Sequence, residues 1–255
     1  MYQLTERFTA NERRLLGLLA ELGDCRRTAY LTPATLGALR EAASTSRHES
    51  SVAWIAREVG DSDTGLAIFF AEDRVVAVVP PFPISGDATQ DGPDTGPLRD
   101  ILERDRLVGV VLLRLGRYAV GVLRRGRLVA SKTGSRHVKR RHKAGGTSQR
   151  RFERSRERLV REFFDKACEV AGQVFGPYSQ RMDHVLLGGE RNTLRDFTRR
   201  CRYLTDLGDK TLTRTLRVDR PGLRSLEKIS PQVWESRVFV FEGQERDNGG
   251  EREGR

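Results

Sequence analysis

The hydrophobic pattern of the first 80 residues predicts three helices followed by two strands. Apolar side chains recur at spacings of three and four over residues 11–22, 32–43 and 49–59, which is typical of helices that bury one face. Thr32 and Pro33 fit the N-cap and the first position of the second helix. Two short β-rich runs, residues 66–71 and 74–79, are joined by Glu72 and Asp73 and predict a hairpin. We therefore expect a small α+β module here.

A second group of hydrophobic runs predicts an antiparallel meander. A short helix is expected over residues 98–104, followed by strands over residues 107–115, 118–123 and 127–131. Glycine-containing turns at residues 116–117 and 124–126 separate these strands. The three strands are therefore expected to be neighbours in one sheet.

After the meander, helices and strands alternate. A stripe of apolar side chains predicts one long helix that packs on the sheet, with the members Phe152, Leu159, Val160, Phe163, Ala167, Val170, Ala171 and Val174. We expect strands at residues 183–187 and 211–218, helices at residues 190–201 and from about Pro221, and an amphipathic segment at residues 233–241. This order indicates an α/β (α+β) layer fold of the ribonuclease-H-like kind.

Composition divides the chain into two domains. An N-terminal module, residues 1–82, is followed by a linker, residues 83–98, whose proline and glycine content is typical of a connection between domains. The second domain is predicted over residues 99–241. Residues 242–255 are Gly-rich and charged, and they are predicted to be disordered.

Positive charge is concentrated in one segment. The chain has 46 Lys and Arg against 35 Asp and Glu, a net charge of +11. The basic segment, residues 132–158, holds 11 of these cations and only two acids, Glu153 and Glu157. Residues 132–150 are predicted to form a basic loop, and the following helical turns to project beyond the core. A polyanion is the expected partner, and the lack of an apolar face on these turns favours nucleic acid over a membrane surface.

Sequence features also predict the compartment and the state of the cysteines. No apolar run reaches the roughly 20 residues of a spanning helix, and the N-terminus lacks an apolar signal region, so we expect a cytoplasmic protein. Cys25, Cys168 and Cys201 are odd in number and scattered, which predicts reduced thiols and no disulfide. Cys168 is expected to pack in the core.

The acids and histidines do not favour metal-dependent chemistry. A two-metal nuclease on this kind of fold needs carboxylates on its first strand, and residues 107–115 contain none. Asp105 precedes that strand and Asp183 stands alone, while Glu190 fits the first turn of a helix, where the dipole favours an acid. No Cys or Asp stands at ligand spacing from His48, His137, His142 or His184. We expect no metal and no cofactor.

The centre of the basic segment is an uncharged tip. It consists of Gly145, Gly146, Thr147, Ser148 and Gln149. Thr147 or Ser148 would be explained as the N-cap of the long helix, but that role does not account for the two glycines. Glycines let backbone N–H groups approach an anionic or polarised group. Gln149 could orient water or, through its main-chain N–H, donate to a developing oxyanion; an amide is no general base, so its target would have to handle the proton.

The meander, the Gly-Gly-Thr-Ser-Gln tip and the Arg-rich helix together resemble the catalytic middle domain of the eukaryotic and archaeal class-1 peptide-chain release factors. The resemblance covers residues 98–241, and residues 65–84 resemble the end of the release factors' first domain. Release factors carry Gly-Gly-Gln, whereas here Thr147 and Ser148 separate Gly146 from Gln149. This Gly-x-x-Gln form is similar to the release-factor-like peptidyl-tRNA hydrolases of the Vms/ankyrin-zinc-finger type and to their shorter bacterial relatives.

That resemblance implies a function and roles for the tip. Members of the family free nascent chains from tRNA on stalled large ribosomal subunits, and no codon-reading loop is evident here, so rescue is implied over codon-dependent termination. Gln149 would be the catalytic glutamine, Gly146 the glycine of the motif and Gly145 an added hinge. The implied partners are the large ribosomal subunit with its rRNA and peptidyl-tRNA. We expect the protein to bind them as a monomer.

Candidate RNA-binding side chains surround the tip: Lys132, Arg136, His137, Lys139, Arg140, Arg141, Lys143, Arg150, Arg151 and Arg154. The one nearby aromatic residue, Phe152, is expected to be buried by the helical stripe, so contacts with the backbone of a folded RNA are favoured over base stacking. Two alternatives stay open. One is a metal-independent tRNA endonuclease that cleaves near the CCA end, and the other is a non-enzymatic ribosome- or RNA-binding factor.

Overall fold

The computed structural model describes residues 2–45, 50–137 and 147–243, with the side chains of these ranges except at residues 43–45 and 147–150. The chain forms two compact units. Unit 1 combines Met1–Glu103 with Glu235–Arg255, and unit 2 is Arg104–Trp234. The boundary lies after residue 103 and not near residue 98, because the helix predicted over residues 98–104 belongs to unit 1.

Unit 1 is built on a six-stranded antiparallel sheet in the order β1-β11-β4-β3-β2-β5. Its elements are β1 (Tyr2–Ala10), α1 (Glu12–Ala20), β2 (Arg27–Leu31), α2 (Pro33–Thr45), α3 (Ser51–Val59), β3 (Leu66–Phe70), β4 (Arg74–Val79), β5 (Ala88–Asp91), α4 (Gly96–Glu103) and β11 (Ser236–Gly243). The three predicted helices and the β3–β4 hairpin are confirmed. Asn11 caps α1 by accepting a hydrogen bond from the Arg14 N–H at 2.9 Å.

Unit 1 differs from the prediction in four places, two of which are the strands β1 and β2, which were not predicted. Residues 233–241 were assigned to the second domain, but β11 lies between β1 and β4, with Phe239 and Phe241 buried in the unit 1 core. The predicted linker, residues 83–98, contains β5, which pairs with β2. Asp87, just before β5, accepts hydrogen bonds from the Thr32 N–H and the Thr35 hydroxyl, which lower its pKa. Proline and glycine therefore shape an ordered connection here.

Unit 2 contains a five-stranded sheet in the order β10-β9-β6-β7-β8. Its elements are β6 (Leu107–Arg114), β7 (Arg117–Arg124), β8 (Arg127–Ser135), α5 (Thr147–Phe175), β9 (His184–Gly189), α6 (Arg191–Arg200), α7 (Arg202–Asp206), β10 (Thr211–Leu216), α8 (Leu223–Lys228) and α9 (Ser230–Val233). The meander is antiparallel, whereas β9 runs parallel to β6 and to β10. The predicted ribonuclease-H-like layer fold is confirmed.

Helices cover both faces of this sheet. On one face, α5, α6 and α7 contribute to the main core, which includes Val111, Leu113, Tyr118, Val120, Phe163, Ala167, Val170, Phe175, Leu194, Phe197 and Leu204. Successive strand residues point to opposite faces, so Gly121 faces away from that core. A Cβ atom at Gly121 would lie 3.2 Å from the Cδ2 atom of Leu226, a fully buried residue of α8. The absence of a side chain thus lets α8 pack closely on the second face.

Cys168 and Cys201 form a disulfide, so the prediction of three reduced thiols is wrong. The bond joins α5 to the end of α6 across 33 residues of sequence, with Cα atoms 5.3 Å apart. Cys25 is free and buried. Sequence spacing gave no sign of the pairing, because the two cysteines meet only when both helices pack on one face of the sheet. None of the described helices is long and apolar enough to cross a membrane.

Replacing Gly134 with alanine should destabilise the protein. A Cβ atom there would overlap the ring and hydroxyl of Tyr118, which packs on Phe163 with ring centroids 6.1 Å apart. The tyrosine would have to leave its place in the core, which should cost about 1–3 kcal/mol of unfolding free energy in urea denaturation. Gly176→Ala is the matched control, since nothing lies within 4 Å of a Cβ atom at that position. Equal stability of Gly134→Ala and wild type would contradict this packing.

Removing the disulfide should also lower stability. A cross-link of this loop length restricts the unfolded chain, so Cys168→Ser with Cys201→Ser should reduce the free energy of unfolding by about 3 kcal/mol. The pairing itself is checked by alkylation of acid-quenched, denatured protein. One thiol, that of Cys25, should react before reduction, and all three cysteines after it. Reaction of three thiols without reductant would disprove the bond.

Candidate functional site

Four connections of unit 2 meet at one edge of its sheet. In the parallel register, Leu113 of β6 lies opposite Gly189 of β9, and Gly188 lies opposite Leu216 of β10, so these three strands end together. Arg117 pairs with Ser135, which brings the end of β8 to the same place. We call this the carboxyl edge. Ligands of open α/β sheets commonly bind beyond the carboxyl ends of the parallel strands.

The long helix α5 projects beyond the carboxyl edge. It has 29 residues and therefore a length of about 43 Å. Its first buried side chain, among those described, is Phe163. Val160 already packs against the core, so the 13 residues before it, 147–159, form an overhang of about 20 Å. The predicted projection of the charged turns is confirmed.

Side chains of α5 hold the end of β8. Arg136, just after the strand, donates to a carboxylate oxygen of Glu162 at 2.7 Å, and Arg158 lies 3.8 Å from the same carboxylate. Further back, the Lys132 Nζ atom donates to the side-chain oxygen of Gln173 at 2.8 Å. Lys132 therefore lies against the body of the unit, whereas Arg136 marks the base of the overhang.

The predicted basic loop, residues 132–150, is shorter in the structure. Strand β8 continues to Ser135, and α5 begins at Thr147. Gly145, Gly146 and four of the candidate cations lie outside the described residues; these cations are Lys139, Arg140, Arg141 and Lys143. The backbones of Thr147, Ser148, Gln149 and Arg150 form the first turn of α5, so Gln149 belongs to a helix and not to a loop.

The described part of the overhang is exposed and mainly cationic. Arg151 and Arg154 are exposed, as is His137 at the far side of the loop. Phe152 is 58% exposed, so the prediction that the helical stripe buries it is wrong. The reason is its position, three turns before the first buried residue of α5. An aromatic ring is therefore accessible next to the candidate cations.

The acids singled out in the sequence have structural contacts. Asp183 accepts a hydrogen bond from the Leu107 N–H at 2.9 Å and so joins the starts of β6 and β9. Glu190 stands at the N-cap of α6 and accepts from the Thr193 hydroxyl at 3.1 Å. Within residues 2–45, 50–137 and 147–243, no group of three His, Cys, Asp or Glu side chains is arranged to hold a metal ion.

A cationic groove at the carboxyl edge was not predicted. It consists of two adjoining depressions of about 600 and 620 Å³ that share Arg117, Asp219, Arg220 and Pro221. We call them the edge groove. Its cations come from separate connections of the chain and are Arg114, Arg117, Arg136, Arg217, Arg220, Arg224 and Lys228. The sequence signal was the run RVDRPGLR at residues 217–224, which is short and carries an acid.

The chain matches a known family over this unit. The model of the Actinobacteria/chloroflexi VLRF1 release factor family matches residues 106–239, which is more than half of the chain. Curated relatives are peptide chain release factor subunit 1 proteins of archaea. That of Archaeoglobus fulgidus is 33% identical over 101 residues, 40% of this chain and 25% of the relative. That of Methanopyrus kandleri is 31% identical over 145 residues, 56% of this chain and 35% of the relative.

Solved structures give weaker matches. The archaeal translation termination factor aRF1 is 20% identical, with a TM-score of 0.41, over 88% of this chain and 73% of that one. The Vms1 mitochondrial localization core is 11% identical, with a TM-score of 0.38, over 85% and 98% of the two chains.

The match to the family model confirms the prediction of a release-factor-like family. The chain spans about a quarter to a third of the length of the curated relatives that it matches. This chain belongs to the Actinobacteria/chloroflexi VLRF1 release factor family.

Proposed function

We propose that this chain is a cytoplasmic peptidyl-tRNA hydrolase that releases nascent chains from stalled large ribosomal subunits, with Gln149 acting at the ester bond. The observation that carries the proposal is the position of residues 147–150, which form the first turn of a helix whose described overhang is exposed and cationic. Membership of a release factor family supports the ribosome as the partner.

A helix start suits the chemistry of ester hydrolysis. The N–H groups of a first helical turn have no acceptor within the helix, and the helix dipole places partial positive charge there. The main-chain N–H of Gln149 lies in this turn and can donate to the oxyanion that forms when water attacks the ester carbonyl. Its side-chain amide can at the same time hold the attacking water.

The reaction leaves proton transfer to the substrate. The water oxygen bonds to the carbonyl carbon, and the bond from that carbon to the ribose oxygen breaks. The departing ribose oxygen takes up a proton equivalent to the one that the water loses. An amide side chain cannot accept this proton, so the neighbouring ribose hydroxyl and ordered water must relay it. The products are a free peptide and a tRNA with an intact 3′ end.

The cations of the overhang supply binding. Each Lys or Arg that meets a phosphate releases condensed counterions, and this drives association with RNA. Arg151 and Arg154 stand within two turns of Gln149 on the same helix. Phe152 lies between them and is exposed, which makes stacking on an unpaired base available beside the phosphate contacts. We expect a monomer to bind in this way.

Gln149→Ala should abolish most of the activity. Loss of the amide that positions the water should slow peptide release from stalled large subunits by about 100-fold, while affinity for the subunits stays within about twofold. The measurement is single-turnover release of a labelled nascent chain, with pelleting of the subunits for affinity. Ser155→Ala, two turns further along α5, is the control with unchanged release. Full release by Gln149→Ala would remove the proposed role.

Two further results separate the hydrolase from its alternatives. Gly145→Ala with Gly146→Ala should lose turnover but keep affinity, whereas a factor that only binds would show no release in any variant. Sequencing of the released tRNA should find complete CCA ends. Shortened 3′ ends would identify cleavage of a phosphodiester bond and therefore an endonuclease.

Neutralising the overhang should weaken binding in a salt-dependent way. Arg151→Gln with Arg154→Gln should lower the slope of log affinity against log salt by about 1.5 to 2, because two phosphate contacts are lost. Arg127→Gln with Arg181→Gln removes the same charge at the opposite edge of the sheet and should leave the slope unchanged. Equal slopes for both pairs would show that the overhang does not meet phosphates.

A further inference from the structure

The edge groove is strongly and unevenly charged. Among the described residues, its lining carries six arginines and one lysine against a single carboxylate, that of Asp219. The same described lining includes the imidazole of His137 but no Phe, Tyr or Trp. Arginine predominates in sites that recognise phosphate, because the guanidinium group donates two parallel hydrogen bonds to one anion.

Most cations of the groove lack an internal partner. Arg117, Arg217, Arg220, Arg224 and Lys228 are exposed, and within the described residues none of them forms an ion pair. Some arginines elsewhere in unit 2 are paired with carboxylates. Arg124 donates to Asp105 at 2.7 Å and lowers its pKa, and Arg200 donates to Asp165 at 2.6 Å. The groove thus gathers five exposed cations without an ion pair to any described residue in one depression, and such a cluster suits an external anion.

Hydrogen bonds fix the backbone of the loop between β10 and α8. The side-chain amide of Gln232 accepts from the Arg217 N–H at 2.8 Å and donates to the Arg217 carbonyl at 3.1 Å. Arg114 donates to the Asp219 carbonyl, and the Ser225 hydroxyl donates to the Arg220 carbonyl. The loop is therefore ordered before any ligand arrives, and the side chains of Arg217 and Arg220 remain exposed. A preformed site avoids part of the entropic cost of binding.

Helix α8 presents two further cations from a fixed base. Arg224 and Lys228 are four residues apart, so they lie on one helical face, and both are exposed. Leu226 points the other way and is fully buried, close to Gly121 of β7. The groove cations of α8 thus belong to the face of the sheet opposite to α5.

We propose that the edge groove binds the phosphodiester backbone of a folded RNA, as a second RNA-binding surface separate from the α5 overhang. Arg136 links the two, since it lines the groove and also donates to Glu162 of α5. An RNA bound to both surfaces would fix the orientation in which the tip approaches its target. The inference rests on the proposed function for the kind of RNA that is bound.

An acidic protein segment is the competing ligand. Leu115 and Leu223 line the groove and are 37% and 49% exposed, and a protein partner could bury them. The predominance of arginine and the lack of a continuous apolar surface favour phosphates. An acidic peptide is therefore one of the competitors in the binding experiment.

The test uses the full chain and a fluorescent RNA hairpin with a stem of about 12 base pairs, slightly more than one turn of A-form helix, and a single-stranded CCA end. Fluorescence anisotropy gives the affinity at several salt concentrations. Arg217→Glu with Arg220→Glu should weaken binding by about tenfold or more and lower the salt slope by about 2. Arg224→Glu with Lys228→Glu should do the same from α8, which guards against a local folding defect in the loop.

The control is Arg127→Glu with Arg181→Glu at the opposite edge, which should leave affinity within about twofold because neither residue lines the groove. Unchanged affinity of both groove variants would overturn the inference. The inference would also be overturned if a polyglutamate peptide of equal charge displaced the labelled hairpin at a lower concentration than unlabelled hairpin does. Retention of the hairpin against that peptide supports it.

The outcome is separable from the proposed hydrolysis. Gln149→Ala should bind the hairpin as tightly as wild type, since the substitution removes no positive charge that could meet a phosphate. Groove-dependent binding without any release by wild type would remove the proposed function and leave this inference standing. Normal peptide release together with unchanged hairpin binding by the groove variants would overturn this inference and leave the proposed function standing.

Discussion

Burial of the second half of α5 is the constraint on which the carboxyl edge depends. Short helices are marginal in water, and neighbouring like charges at positions i and i+4 destabilise them further. The first 13 residues of α5 are rich in such cations, and none of their described side chains belongs to the core cluster. Their helical form therefore depends on continuity with the turns that bury Phe163, Ala167 and Phe175 against the sheet. Tyr118 packs on Phe163 only because Gly134 leaves room for its ring, so a glycine in β8 helps to anchor a helix that begins beyond the sheet.

Strand order explains how distant parts of the chain gather around this helix. Because β9 is added parallel to β6 and β10 parallel to β9, each of these strands delivers its following connection to the same edge. The meander adds the β6–β7 turn and the end of β8 at that edge. Residues 114–117, 135–137 and 217–222 become neighbours although about 100 positions separate the first from the last. Helices α5 and α8 pack on opposite faces of the sheet, so both contribute positive charge at the carboxyl edge.

Local patterns predicted most of the elements but missed β1, β2 and β5, and they did not specify which elements pair. The stripe from Leu159 to Val174 predicted α5, and alternating hydrophobic runs predicted the meander and the ribonuclease-H-like order. The same patterns assigned Phe239 and Phe241 to the wrong unit, because an amphipathic strand does not specify which sheet it joins. They also predicted, wrongly, that Phe152 is buried. Periodicity shows which face of a helix is apolar but not where the sheet beneath the helix ends. The Cys168–Cys201 bond and the edge groove depend on contacts between residues 33 and about 100 positions apart, which no local signal carries.

The distribution of ion pairs separates structural cations from those available to a ligand. Arg124 and Arg200 bind carboxylates of unit 2, and Lys132 binds Gln173, so these cations are engaged by the fold itself. At the carboxyl edge the cations outnumber acids, and their mutual repulsion works against folding unless an anion is bound. The fold retains this cationic surface, and Gln232 fixes the backbone of its loop. A bound polyanion would relieve the repulsion between the cations. Under the proposed function the reacting group is a neutral amide, which contributes neither charge nor a proton acceptor. RNA would then be both the ligand that offsets the repulsion and the source of the proton transfer that glutamine cannot provide.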